Sequence, residues 1–350
     1  MLRAVFRFLE DSKPFKIRLF TDLGRAAGHD VYFFKTEDIS RILTLIDDWV
    51  ASENGESKRI FGVRSNIGDG KTSLLGYVRQ KYQNCVVVPL DGVDHDTIAP
   101  LKLRSKLVLS LLYAMKEKEL LEEKVFNEAA AKFVDVSGYQ DAETRLDRLT
   151  TDALRLYAPK LTNESVLFVC DNLRHLECLA AFKSLLEMRD PLPLYRQFFA
   201  NVRSAVVCST SERAIEEKWK ESVRDDTSRL EWLRVTKENM FNIVKQVLEA
   251  SLTIPPPGWS PNLKEALGTE RRDNAVFPFD EEDLRLFLAE KAQKHEVGDP
   301  RHDVRLKLSE IQLRNTLDLM QRIIKEKARE ATPGLVSLRD LIKEDTKDVP

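Results

Sequence analysis

No apolar run in this 350-residue chain approaches the roughly 18 residues that a membrane-spanning helix requires, so no membrane role is expected. Charge of neither sign is in excess. The 55 Lys+Arg against 57 Asp+Glu leave a net charge of −2, which argues against a globally basic nucleic-acid binder and leaves room only for a local basic patch. The 4 cysteines follow no metal-ligand spacing. Cys85, Cys170 and Cys208 each lie in or at the end of an apolar run, so they are expected as small core residues in a reducing, cytoplasmic compartment. The histidines (His29, His95, His175, His295 and His302) are scattered and compose no hydrolytic triad. The stretch "MLRAVFRFLEDSKPFKIRLF" mixes both charge signs and lacks the apolar centre of a secretion signal. There is no internal repeat.

What the chain does contain is a succession of short buried strands and amphipathic helices. In "TEDISRILTLIDDWVAS" the apolar residues Ile39, Ile42, Leu43, Ile46 and Trp49 fall on one helical face, with Thr36 as the N-cap. "KRIFGV", "NCVVVPLD", "ESVLFVCDN", "RSAVVCSTS" and "RLEWLRV" are β-branched or apolar runs of strand length. The stretch "LKLRSKLVLSLLYAMKEKELLEEKVF" is expected as one long helix whose charge run faces solvent, and "TKENMFNIVKQVLEASL" as another. Strands alternating with helices predict an α/β fold, a parallel sheet with helices on both faces. The prolines of "TIPPPGWSPN" then mark a boundary, beyond which "DEEDLRLFLAEKAQKH", "LSEIQLRNTLDLMQRIIKEKAREA" and "TPGLVSLRDLIKED" predict an all-α lid domain. The expected organisation is a leader over 1–30, a core over 31–252 and a helical lid over 253–350.

The most informative stretch is "FGVRSNIGDGKTSLLGYV". A loop that cradles phosphate needs backbone N–H groups free to converge, and glycine permits this because no Cβ blocks the approach. It needs a lysine to reach the β and γ phosphates, a hydroxyl for Mg²⁺, and a helix whose N-terminal N–H groups face the anion. Gly68, Gly70, Lys71 and Thr72 supply these between a predicted strand and a predicted helix, within a loop running through Ser65, Asn66, Ile67, Asp69 and Ser73. The alternative is a plain strand-to-helix turn that happens to contain Gly-Asp-Gly before Lys-Thr, and the flanking strand and helix favour the phosphate loop. Ser65 stands where the common pattern has its first glycine, and its small side chain is compatible with the turn. Downstream, "VLFVCDN" ends a buried strand on Asp171, placed to bind Mg²⁺ through water at the strand end where α/β ligand sites lie.

These residues resemble the P-loop ATPases of the AAA+ superfamily, in particular the branch of origin-recognition initiators, transposition ATPases and signalling (STAND) ATPases. "GDGKTS" is similar to Walker A, "VLFVCDN" to Walker B and "VVCSTS" to the sensor 1 strand, with Ser209 or Thr210 as the polar sensor. "YFFKTEDISRIL" resembles the lead-in segment before Walker A. "SRLEWLRV" resembles the segment carrying an arginine finger just ahead of the last core strand, which implies Arg229 in that role, and "LRNTLDLMQRIIKEKAREA" resembles the lid helix bearing sensor 2, which falls on Arg314. The resemblance implies a P-loop NTPase sheet with the "CVVVPL" strand at its far edge, ATP and Mg²⁺ as cofactors, Thr72 and Asp171 as metal ligands, and a homo-oligomer in which Arg229 serves a neighbouring subunit.

One residue departs from the family pattern. Where a glutamate commonly follows the Walker B aspartate to polarise water, this chain has Asn172, an amide that can orient water but cannot accept a proton at neutral pH. ATP binding with slow hydrolysis is therefore expected, as in a switch. DNA is the target that the initiator and transposition branches imply, with Lys102, Arg104, Lys106, Arg271 and Arg272 as the local basic residues. The other readings are a signalling ATPase subunit acting on a protein partner or effector chain and, more weakly, a small-molecule kinase.

Overall fold

Burial on both faces distinguishes the central strands of this chain, and the computed structural model shows how it is achieved. It describes residues 2–11, 36–52, 58–65, 70–90, 100–134, 141–171, 202–210, 228–233, 237–253, 274–296 and 313–346. Strands β1 (Lys58–Arg64), β2 (Val86–Leu90), β3 (Ser165–Cys170), β4 (Arg203–Thr210) and β5 (Ser228–Trp232) pair in parallel in the order β2-β3-β4-β1-β5. The strand carrying "VVVPL" lies at the edge, and β4 is inserted between the strand of the glycine loop and the strand ending before Asp171.

Alternation with period two sends neighbouring residues of each strand to opposite faces. Val166, Phe168, Cys170, Val206 and Cys208 join one core with helices α4 (Pro100–Glu117), α5 (Glu123–Val134) and α6 (Ala142–Tyr157). Leu167, Val169, Ala205 and Val207 join a second core with α2 (Glu37–Ala51) and α3 (Lys71–Lys81). The α/β fold with helices on both faces thus follows from continuous apolar strands, which leave neither face fit for water. Helix α2 begins as its sequence dictates: the Thr36 hydroxyl accepts from the Ile39 amide at 3.3 Å, and all five residues of its apolar stripe are buried. Its other end is held by Arg203 at the start of β4, which donates to the carbonyl of Trp49 and lies over that indole ring, 4.8 Å from its centroid.

One expectation about helices is corrected. The predicted long helix is broken into α4 and α5, because Glu119 adopts a left-handed conformation with φ 59°. The Leu120 amide then reaches the Met115 carbonyl and the Glu119 amide the Lys116 carbonyl, both at 2.9 Å, which closes the helix with a Schellman motif. Leu121, buried at 3% exposure, is thereby turned into the core. Helix α6, in which Leu154 and Ala153 are buried, has no counterpart in the sequence reading.

The remaining helices are α1 (Leu2–Asp11), α7 (Lys237–Thr253), α8 (Glu281–Glu296), α9 (Leu313–Arg329) and α10 (Leu338–Asp345). They share a third core, separate from the two that flank the sheet. Met240, Phe241, Val244, Val247 and Leu248 of α7 are buried with Phe287 of α8 and Met320, Ile323 and Ile324 of α9. Val5, Phe6, Phe8 and Leu9 of α1 belong to the same cluster. Part of the expected leader is thus a helix packed among C-terminal ones, and α7, placed on the core side of the expected boundary at 252, buries its apolar face with them too. The proline-rich stretch of that boundary lies outside the described residues. No helix among the described residues is long and apolar enough to cross a membrane.

Candidate functional site

The site is assembled at the C-terminal ends of β1, β3 and β4, where α3 begins. Strand β1 is pinned on both sides at its exit: the Ser65 amide donates to the Thr210 carbonyl at 3.3 Å, and the Leu233 amide to the Arg64 carbonyl at 2.9 Å. The chain re-enters the described structure at Gly70, the N-cap of α3, with φ 90° and ψ 16°. That left-handed conformation suits a residue without a Cβ, and its carbonyl accepts the Leu74 amide at 2.9 Å to open the helix. No acidic residue occupies the first turn of α3, so no carboxylate within it offsets the positive dipole end, which favours an anion.

Lys71, the first residue of α3, is buried to 9% exposure and turns back to Ser65 at the end of β1. Its ammonium donates to the Ser65 carbonyl at 2.9 Å and to the Ser65 hydroxyl at 3.2 Å. Ser65 is therefore more than a tolerated replacement for glycine, because its hydroxyl is a partner of the loop lysine. This contact joins residues six apart across the loop, and no sequence periodicity announces it.

Asp171 lies one residue beyond β3 and is buried to 9% exposure. Each of its carboxylate oxygens accepts a hydroxyl: Thr72 donates to Oδ2 and Ser209 to Oδ1, both at 2.6 Å. These are the short distances of charge-assisted O–H···O⁻ bonds. The register explains the convergence. Cys170 pairs with Cys208, so Asp171 and Ser209 follow side by side. Alternation turns both toward the face on which α3 packs, because Cys170 and Cys208 belong to the opposite core. Thr210 is the next residue along β4 and alternates to the other face, so Ser209 is the member of the pair that meets Asp171. That alternation was present in "VVCSTS" and could have separated the two residues from sequence.

Cys85, Cys170 and Cys208 are buried and form no disulfide, and burial pushes the Cys208 thiol up to about 12. Among the described residues no group of three His, Cys, Asp or Glu side chains is placed to hold a metal. The donor set here is of another kind: a hydroxyl and a carboxylate already in contact, hard oxygen donors suited to Mg²⁺, which keeps several waters and takes few protein ligands. Thr72 and Asp171 fit that ion.

Other candidate residues are less fully placed. Arg229 is the second residue of β5, opposite Phe61 of β1, so it lies within the last strand and not just ahead of it. Arg314 is the second residue of α9. The side chains of both lie outside the described residues. Ser73 is half-buried in the first turn of α3. Asn66, Ile67, Gly68, Asp69 and Asn172 lie outside the described residues, as do Arg271 and Arg272. Of the other basic cluster, Lys106 is half-buried on α4, and the side chains of Lys102 and Arg104 are not described.

No protein-family model matches the chain. No curated protein matches it either. Among solved structures, that of the Aeropyrum pernix ORC2 protein in ADPNP–ADP complexes is similar over 89% of this chain and 67% of its own, at 10% identity and a TM-score of 0.44. The E. coli MS115-1 HORMA:CdnC:Trip13 complex contains a chain similar over 90% of this one and 86% of its own, at 13% identity and a TM-score of 0.33. Both scores lie below 0.5, and the reading of the site rests on this chain's own geometry.

Proposed function

We propose that the chain is a P-loop ATP-binding switch of the AAA+ type. The observation that carries this reading is the meeting of Thr72 and Ser209 on Asp171, beside a loop lysine at the head of α3. A phosphate-binding loop places lysine, hydroxyl and strand-end carboxylate within reach of one another, whereas a structural turn has no reason to bury them together. The sheet order supports it, since β2 takes the edge, as the resemblance implies.

In this reading the α3 N-terminus and Lys71 hold the phosphates of ATP, and Thr72 and Asp171 hold Mg²⁺. The ion, when bound, neutralises charge on the phosphate oxygens. Asn172 follows Asp171 and offers an amide in place of a general base, so turnover is slow and the bound nucleotide serves as a state marker. Arg229 is proposed as the residue presented to a neighbouring subunit and Arg314 as the lid residue facing the nucleotide, with the helical unit as lid. Steady-state hydrolysis by the purified chain tests the slow-switch reading: a rate well below one per second is expected, and many turnovers per second without a partner would refute it.

The switch acts on another macromolecule. DNA is the first target, by the initiator-like motifs. A protein partner is the second, favoured by the net charge of −2 and by the half-burial of Lys106, which withdraws one member of the basic cluster from a phosphate-contacting role. ATP-dependent DNA binding measured against salt separates them: a steep loss with salt supports phosphate contacts, and no binding at low salt supports the protein partner.

A further inference from the structure

We infer that Ser209 is a positioning residue for the Mg²⁺ site, acting on Asp171, and not a sensor of the nucleotide's terminal phosphate. This rests on the proposed reading of the site and deepens it. The resemblance offers Ser209 and Thr210 as polar sensors, whose role would be to donate to the γ-phosphate. A serine has one hydroxyl proton to give, and Ser209 gives it to Asp171 Oδ1 at 2.6 Å. Ser209 is fully buried, and Asp171 is buried to 9% exposure beside it. The Ser209 hydroxyl is thus committed to Asp171.

The geometry shows what this contact does. A carboxylate at a strand end can rotate about its last torsion and present either oxygen, or neither, to a cation. Here Oδ1 is fixed by Ser209 and Oδ2 faces Thr72 at 2.6 Å. The Thr72 hydroxyl retains lone pairs for a cation while donating to Asp171. Ser209 thus sets which carboxylate oxygen adjoins the Thr72 hydroxyl, and the register pairing of Cys170 with Cys208 holds the backbones from which both side chains spring. Outer partners that orient a ligating carboxylate are worth about 10–100-fold in metal affinity.

The test is a series, Ser209→Cys and Ser209→Ala, in the full chain. Binding of ATPγS and of ADP is measured in EDTA and across a Mg²⁺ titration, with denaturation midpoints checking that each variant is folded. The expected result is that the Mg²⁺ concentration giving half of the affinity gain rises about tenfold or more in Ser209→Ala, with Ser209→Cys, a weak donor of similar size, in between. The preference for ATPγS over ADP at saturating Mg²⁺ should stay within about twofold, since removing one hydrogen bond to a charged γ-phosphate would lower it about tenfold or more. An unchanged Mg²⁺ midpoint with a lost ATPγS preference would overturn the inference and restore the sensor role. If Mg²⁺ confers no gain on the unmodified chain while nucleotide still binds, the positioning role falls alone; if no nucleotide binds, the phosphate-site reading falls with it.

Discussion

Replacing Lys71 with alanine removes the ammonium that bonds Ser65 from the first turn of α3. The cost to nucleotide affinity can be worked from its present partners. In the structure the ammonium is buried to 9% exposure and bonded to Ser65 O and Oγ at 2.9 and 3.2 Å, so binding exchanges those contacts for phosphate oxygens. Hydrogen bonds involving a charged group are worth about 1.5–3 kcal/mol, so two bonds to phosphate contribute about 3–6 kcal/mol. Releasing the two Ser65 contacts, one of them long, takes back about 2–3 kcal/mol. The net loss for Lys71→Ala is then about 2 kcal/mol, or about thirtyfold in Kd. Displacement of a fluorescent ATP analogue would read this, with the denaturation midpoint as the control for folding. Binding within twofold of the unmodified chain would show that Lys71 does not meet phosphate, and the loop would be a structural turn.

Three further predictions concern the frame around the site. Glu119→Gly relieves a left-handed residue at the end of α4, where the conformation costs about 1–2 kcal/mol, less the greater chain entropy of glycine; a net gain of about 0.5–1 kcal/mol in urea unfolding is expected, and a loss would contradict the assigned turn. Phe8→Ala empties a fully buried site on α1 and should destabilise by about 3–5 kcal/mol, read by the unfolding of the helical unit; a cost below 1 kcal/mol would mean that α1 does not dock among the C-terminal helices. Asp340, the N3 residue of α10, is pushed upward by burial, but the amide and hydroxyl of Ser337 and the ammonium of Lys327 outweigh this and hold it below its ordinary value. A depressed folded value gives stability that is complete above the ordinary carboxyl value of about 3.9 and is lost as pH falls through the folded one. Asp340→Asn should therefore lower Tm at pH 7 by an amount that shrinks below about pH 4, and a difference independent of pH would contradict the assignment.

Much of this structure was legible in the residues, and the exceptions have physical causes. Thr36 and the stripe from Ile39 to Trp49 specified α2 locally, since cap and periodicity agree and both are buried as read. The strands were legible because β3 and β4 are apolar on both faces. Helix α1 was not assigned, although Leu2, Val5, Phe6 and Leu9 fall at helical spacing; its burial comes from partners some three hundred residues away in the chain, on α9. The break at Glu119 carries no glycine or proline, so tertiary burial of Leu121 decides it against local propensity. At the site, the identities of Lys71, Thr72 and Asp171 were readable from spacing. Ser65 as the partner of Lys71 became visible only when loop closure brought them together. Alternation could have separated Ser209 from Thr210, but its contact with Asp171 depends on the strand register.

The central claim is that the site built from Gly70, Lys71, Thr72, Asp171 and Ser209 binds a magnesium nucleotide. Calorimetric titration of the purified chain with ATPγS, run with Mg²⁺ and with EDTA, tests it most directly. Saturable one-site binding that tightens about tenfold or more with Mg²⁺ is expected, since one bond to a charged group is worth at least about 1.5 kcal/mol. The absence of saturable heat up to millimolar nucleotide in both conditions, from a chain shown to be folded, would contradict it.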